Sequence, residues 1–186
     1  MGRLDADTEG LLILTNDGEL AHRLMHPSYE VPKTYLATVV GSVPRGLGKK
    51  LKAGIELDDG PIHVDDFAMV DTVPGKSLVT VTLHEGRKRI VRRMLAAVGF
   101  PVTDLVRTDI GTVTLGEQKP GSIRVLTSKE VGELYKAVGD VSAPPSPLPS
   151  TDRLAPESLP SHGGLARALG ARYLNTGAMY RIVTLA

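Results

Sequence analysis

The chain contains no cysteine and no tryptophan, and aromatic residues supply only 4% of its 186 positions. Without thiols there is no disulfide and no thiolate metal site, a composition that suits a reducing compartment. No apolar run approaches the roughly 20 residues of a membrane span, and the opening residues lack the charged-then-apolar form of a leader. A cytoplasmic protein is expected. Charge of either sign is not in excess, since the formal net value is +1. Its distribution says more, because Arg87, Lys88, Arg89, Arg92 and Arg93 fall within seven residues.

What is present has a readable order. Gly2-Arg3-Leu4-Asp5-Ala6-Asp7-Thr8-Glu9-Gly10 is a polar loop that enters the aliphatic run Leu11-Leu12-Ile13-Leu14. That run reads as a buried strand, closed by an Asp17-Gly18 turn. Asp17 then suits the N-cap of a helix from Glu19 to Met25, ended by Pro27. His22 and His26 have a metal-ligand spacing on that helix but no evident third ligand, so they are read as surface or partner-facing residues. A strand is predicted over Lys33–Val40, with Lys33, Tyr35 and Ala37 on one face and Thr34, Leu36 and Thr38 on the other. A short basic helix from Pro44 to Lys52 follows. Further strands are expected at Ile55–Leu57, His63–Val70 and Ser77–Leu83, with turns at Asp58–Pro61 and Pro74-Gly75.

A helix from Lys88 to Val98 carries the apolar stripe Ile90, Val91, Met94, Leu95 and Val98, with basic residues on its flanks. Strands near Thr103–Asp109, Thr112–Leu115 and Ile123–Leu126 lead to a helix from Ser128 to Ala137, opened by a Thr127–Glu130 capping box. Strand runs mixed with helices, without regular βαβ alternation, predict an α+β domain on a mostly antiparallel or mixed sheet with flanking helices. This domain is expected over residues 1–138. Residues 139–163 are rich in Pro and Ser and read as an extended or disordered linker, and 164–186 form a separate tail.

Asp5, at the mouth of the first strand, is on local grounds either a loop cap or a reacting group. The whole motif Gly-Arg-Leu-Asp-x-x-Thr-x-Gly, followed by four aliphatics and Thr-Asn, resembles the signature of ribosomal RNA pseudouridine synthases, of type A for the small subunit's RNA and types B, E and F for the large subunit's. The resemblance covers residues 2 to about 136. It implies a pseudouridine synthase-like catalytic domain, isomerisation of uridine in ribosomal RNA, Asp5 as the catalytic carboxylate and no metal or redox cofactor. In Lys33-Thr34-Tyr35 it implies that Tyr35 packs on the target base, with Lys33 on the same face. In Arg87-Lys88-Arg89-Ile90-Val91-Arg92-Arg93-Met94 it implies that Arg92 pairs with the catalytic Asp, Arg93 being the competing assignment. Arg3, Lys33, Arg87, Lys88, Arg89 and Arg93 are the expected RNA contacts, and Arg107 and Lys119 could extend that track. A monomer is expected.

Both ends depart from the resemblance. An RNA-binding S4 domain and opening strands are expected ahead of the motif, yet Met1 stands directly before Gly2, so unpaired sheet edges are expected. The tail Gly164–Arg181, with Asn175-Thr176-Gly177-Ala178-Met179-Tyr180-Arg181, resembles an early part of bacterial cytidylate kinase. No phosphate loop precedes it: Ser161-His162-Gly163-Gly164 stands in its place. The tail is expected to form at most two short helices. Three functions remain in descending order: the synthase, a non-catalytic RNA-binding remnant of one, and a CMP kinase.

Overall fold

The computed structural model describes residues 2–139 and 180–185. In chain order these form β1 (Glu9–Thr15), α1 (Gly18–Met25), a 3-10 turn (Pro27–Tyr29), β2 (Lys33–Val40), α2 (Leu47–Ala53), β3 (Ile55–Leu57) and β4 (Gly60–Ile62). They continue with β5 (Asp66–Val73), β6 (Lys76–Leu83), α3 (Ile90–Ala97), β7 (Val102–Ile110), β8 (Val113–Thr114), β9 (Ile123–Val125), α4 (Ser128–Ala137) and β10 (Tyr180–Leu185). Neighbours in the main sheet run β5-β6-β2-β7-β1-β10-β9, with β8 paired to β7, while β3 and β4 form a separate hairpin. β1 and β7 are parallel, with Glu9 opposite Val106 and Gly10 opposite Arg107. The other described pairs are antiparallel. The sheet is therefore mixed and the class α+β, as expected. Among the described residues no helix is long and apolar enough to cross a membrane.

Apolar burial is divided between two clusters. The larger joins Ala37 and Val39 of β2 to Val79, Val81 and Leu83 of β6, Leu47 and Leu51 of α2, and Ile90, Val91, Met94 and Leu95 of α3. The smaller joins Leu11 and Ile13 of β1 to Leu20 and Leu24 of α1 and Val131 and Leu134 of α4. Each cluster takes one face of the strands and one stripe of the helices, so the same alternation that makes the strands also makes the core.

Local chemistry sets the helix ends. The Asp17 carboxylate accepts from Leu20 N at 3.0 Å, and its other oxygen accepts from the Tyr135 hydroxyl, joining α1 to α4. At α4 both halves of the capping box form: Glu130 N donates to Thr127 Oγ1 at 3.2 Å and Thr127 N donates to Glu130 Oε2 at 2.8 Å. Arg124 Nη2 adds a bond to Glu130 at 2.5 Å, and these donors together hold the Glu130 carboxyl at a pKa of about 2.

Several expectations need correction. Gly60-Pro61, read as part of a turn, instead opens β4, because Leu57 and Gly60 already pair across a two-residue turn. α2 begins at Leu47 rather than Pro44, whose carbonyl accepts from Leu47 N at 3.0 Å in a turn ahead of the helix. α3 begins at Ile90 rather than Lys88, because Arg89 is left-handed at φ 51° and breaks the helical run. The tail is corrected in part as well. Tyr180–Leu185 is a strand, not helix, and pairs with β1 from Thr15 to Gly10. That edge of β1, expected to lie open, is covered by a segment rich in β-branched residues. Of the expected linker (139–163) all but Gly139, and with it the kinase-like residues 164–179, lie outside the described residues.

Candidate active site at the loop before β1

The site is built on one lateral row of the sheet. Tyr35 of β2 lies opposite Arg107 of β7, and Arg107 lies opposite Gly10 of β1. The β2–β7 register shifts between Thr34 and Tyr35, where Thr34 faces Asp109 but Tyr35 faces Arg107. The extra residue in β7 is a bulge, a common device for re-aiming a side chain beside a site.

Arg107 organises the loop. It is 2% exposed, its Nε donates to the Leu11 carbonyl at 2.9 Å and its Nη2 donates to the Gly2 carbonyl at 2.9 Å. Both glycines of the opening motif answer to it. Gly2, at φ 66°, crosses above the guanidinium so closely that a Cβ would lie 3.2 Å from Nη1. Gly10, at φ 111°, brings β1 against β7, where a Cβ would overlap the Arg107 carbonyl and lie 2.7 Å from its backbone nitrogen. At Gly10 only glycine fits both the conformation and the approach. Between them Thr8 N donates to the Asp5 carbonyl at 2.9 Å, closing a turn over Asp5–Thr8.

A cavity of about 620 Å³ opens beside this turn. Asp5, Arg3, Thr8, Lys33, Tyr35 and Arg107 line it, together with the strap from Glu85 to Val91. The sequence-predicted Asp5, Arg3, Tyr35, Lys33, Arg87, Lys88 and Arg89 are thus brought to one place. Arg92 and Arg93 are outside the lining. Lys33 is 9% exposed and its Nζ donates to the carbonyls of Val31 at 2.9 Å and His84 at 3.4 Å. Burial, then the nearby Arg107 charge, lowers its pKa.

The basic run divides between two anchors. Arg92 does not reach Asp5, which makes no ion pair among the described residues. It pairs instead with Asp7, its Nε 3.3 Å from the carboxylate without hydrogen-bond alignment. Its Nη2 donates to the Asp7 carbonyl, and its Nη1 donates to the Val102 carbonyl at 3.1 Å. Arg89 Nη2 donates to the same Asp7 carboxylate at 2.6 Å. Arg93 and Arg87 turn the other way, to the β3–β4 hairpin. Arg93 Nη2 lies 2.6 Å from Asp59 Oδ1, and Arg87 donates to Asp59 at 3.1 Å and to the Pro61 carbonyl at 2.5 Å. Chiefly the Arg93 hydrogen bond holds the Asp59 carboxyl at about 2. Lys88 has no anchor among the described residues.

Two residues of the site were missed from the sequence or given another role. Asp7 occupies the arginine expected for Asp5. Arg107, read as part of a surface phosphate track, is a buried support for the loop. Its position was recoverable, since in a strand over Thr103–Asp109 it shares a face with Leu105.

Comparison with known proteins agrees with this architecture. A family model described as RNA pseudouridylate synthase matches residues 1–97. An uncharacterized RNA pseudouridine synthase of Mycobacterium tuberculosis is 78% identical over 139 residues, covering 75% of this chain and 55% of its own length. Ribosomal large subunit pseudouridine synthase B of Bacillus subtilis is 44% identical over 142 residues, covering 75% of this chain and 58% of its own. The crystal structure of a pseudouridylate synthase superposes with a TM-score of 0.63 at 37% identity, covering 72% of this chain and 57% of that one. The chain spans about half the length of the curated relatives it matches.

Proposed function

The chain belongs to the RNA pseudouridylate synthase family, and from that premise we propose that it isomerises uridine to pseudouridine in RNA, with Asp5 as the catalytic carboxylate. The observation that carries this reading is the convergence of Asp5, from the loop before β1, with Tyr35 of β2 and Arg107 of β7 on one cavity. In the reaction the Asp5 carboxylate attacks the ribose or takes one of its protons, and the C1′–N1 bond breaks. The uracil turns within the cavity and a C1′–C5 bond forms as the Asp5–ribose bond breaks or, on the proton-abstraction route, as the ribose takes its proton back from Asp5; the C5 proton then leaves to N1 through solvent. Bond and proton counts balance without an external reactant.

The remaining residues prepare that event. Tyr35 offers an aromatic face on which an extruded base can stack. Arg107 is a buried cation with no carboxylate pair among the described residues, a costly state unless it serves an anion. Arg3, Lys88 and the rim arginines Arg87 and Arg89 supply positive charge for the RNA backbone. Arg92 acts through Asp7, as a positioning residue for the Asp5 turn.

Ribosomal RNA, specifically that of the large ribosomal particle, is the proposed substrate, because the Bacillus subtilis relative is named for that activity. The test is direct. Uridine isomerisation in ribosomal RNA is measured with this chain and with Asp5→Asn, and Asp5-dependent product is expected. A second reading, RNA binding without catalysis, draws on Arg92 being committed to Asp7 rather than to Asp5. Retained RNA binding with no isomerisation in the unaltered chain would establish it over the first.

A further inference from the structure

Away from the cavity lining, three side chains suited to a transition metal meet where β5 and β6 begin and end. His63, Asp65 and His84 each offer one ligand atom, and these atoms lie within 4.8 Å of one another. We propose that they form a binding site for a divalent transition ion of the zinc class, with two imidazoles and one carboxylate as ligands.

The backbone under each ligand is held independently. Between His63 and Asp65 stands Val64, 2% exposed, whose N donates to the Leu51 carbonyl at 3.2 Å. Asp65 N donates to the Thr82 carbonyl at 2.9 Å. The two flanking residues, His63 and Asp65, are exposed on either side of it. His84 follows β6, and its carbonyl accepts the 3.4 Å bond from Lys33. Little backbone ordering is left for an ion to impose.

The side chains are also nearly placed. His84 Nδ1 lies 2.9 and 3.0 Å from the two Asp65 oxygens. The His63 and His84 rings stand edge to face with centroids 5.8 Å apart, and His63 is exposed and makes no hydrogen bond among the described residues. On binding, the ion takes the place of the hydrogen between His84 Nδ1 and Asp65, and the neutral imidazole carries its proton on Nε2 instead. Two nitrogens and one carboxylate oxygen suit zinc, cobalt or nickel better than magnesium or calcium. The neighbouring carboxylates are committed elsewhere: Asp66 pairs with Lys52 at 2.7 Å and Glu85 with Arg87 at 2.7 Å. The fourth position therefore falls to water or an incoming ligand.

Cobalt(II) and zinc(II) titration of the purified chain tests the site without any activity assay. A saturable one-to-one cobalt spectrum, displaced by zinc, is expected, and it should be lost in His63→Ala and in His84→Ala. His63→Ala is the decisive variant, since removing an exposed imidazole without hydrogen bonds leaves the fold intact, as circular dichroism will check. His22→Ala, which alters the other close pair of imidazoles, should bind as the unaltered chain does. No saturable uptake, uptake unchanged in His63→Ala, or uptake lost in His22→Ala instead would each overturn the proposal.

Discussion

Two pairs of arginines leave the same short segment and do different work. Arg89 and Arg92 reach Asp7, in the turn that follows Asp5. Arg87 and Arg93 reach Asp59, in the β3–β4 hairpin. In sequence they form one basic run, and a single phosphate track is the obvious reading. In three dimensions the left-handed Arg89 breaks the run, and each pair meets an acid that the other does not. Density of charge in a sequence does not reveal which charges are free. Here most are already partnered, and the partners divide the segment into a side that supports the proposed reaction and a side that supports the hairpin.

The largest expected effect lies at the centre of the first side. Asp5→Asn should lower turnover by at least about 10³-fold, the scale typical of losing a reacting group, with the thermal midpoint nearly unchanged. Tritium release from 5-tritiated uridine in RNA measures it. Equal turnover in the variant would remove Asp5 from the chemistry. Gly10→Ala should come next, destabilising the chain by about 3 kcal/mol, because strained backbone and a clash with β7 coincide there. Denaturant unfolding measures this, and a loss below roughly 1 kcal/mol would show that β1 can withdraw from Arg107 cheaply.

The comparison itself is tested by Arg92→Gln against Arg93→Gln. The first should reduce turnover by about 10²-fold through misplacement of the Asp5 turn. The second should leave turnover within a few-fold and loosen only the hairpin, read as faster amide exchange over 55–62. Equal kinetic losses would erase the division between the two sides.

The smallest expected effect lies outside both. The Glu130 pKa of about 2 stands below its ordinary value of 4.5. A depressed folded-state value means stabilisation that is present above pH 4.5 and is lost as pH falls toward 2. Glu130→Gln should therefore cost about 1 kcal/mol near neutrality. Its midpoint should fall less steeply than that of the unaltered chain between pH 4.5 and 2. Parallel pH profiles would mean that the Arg124 pairing contributes nothing.

Much of the scaffold was legible because its signals are local. Alternation in Lys33–Val40, the Asp17 cap and the Thr127–Glu130 box each depend on residues within one element, and each appears as expected. β4 was hidden because three residues beginning Gly-Pro carry no alternation, and only pairing with β3 makes them a strand. The site was half legible. The opening motif marks Asp5, and Lys33-Thr34-Tyr35 marks the β2 side of the same cavity. Which acid takes Arg92 is a tertiary choice between Asp5 and Asp7, two positions apart in one loop, and no periodicity distinguishes them. Arg107 was misjudged because arginine is rarely buried, although its strand position placed it inward.

The two bonds from Arg107 also have a consequence in time. They join residues 96 and 105 positions apart in the chain. Such contacts are among the slowest to form, since the loop-closing entropy comes before any reward. During synthesis the opening loop emerges long before the strand that holds it. The Asp5–Thr8 turn is therefore made well before the strand that fixes it and is among the last parts to acquire its shape, so a nascent chain can fold its helices and hairpins before this loop is set.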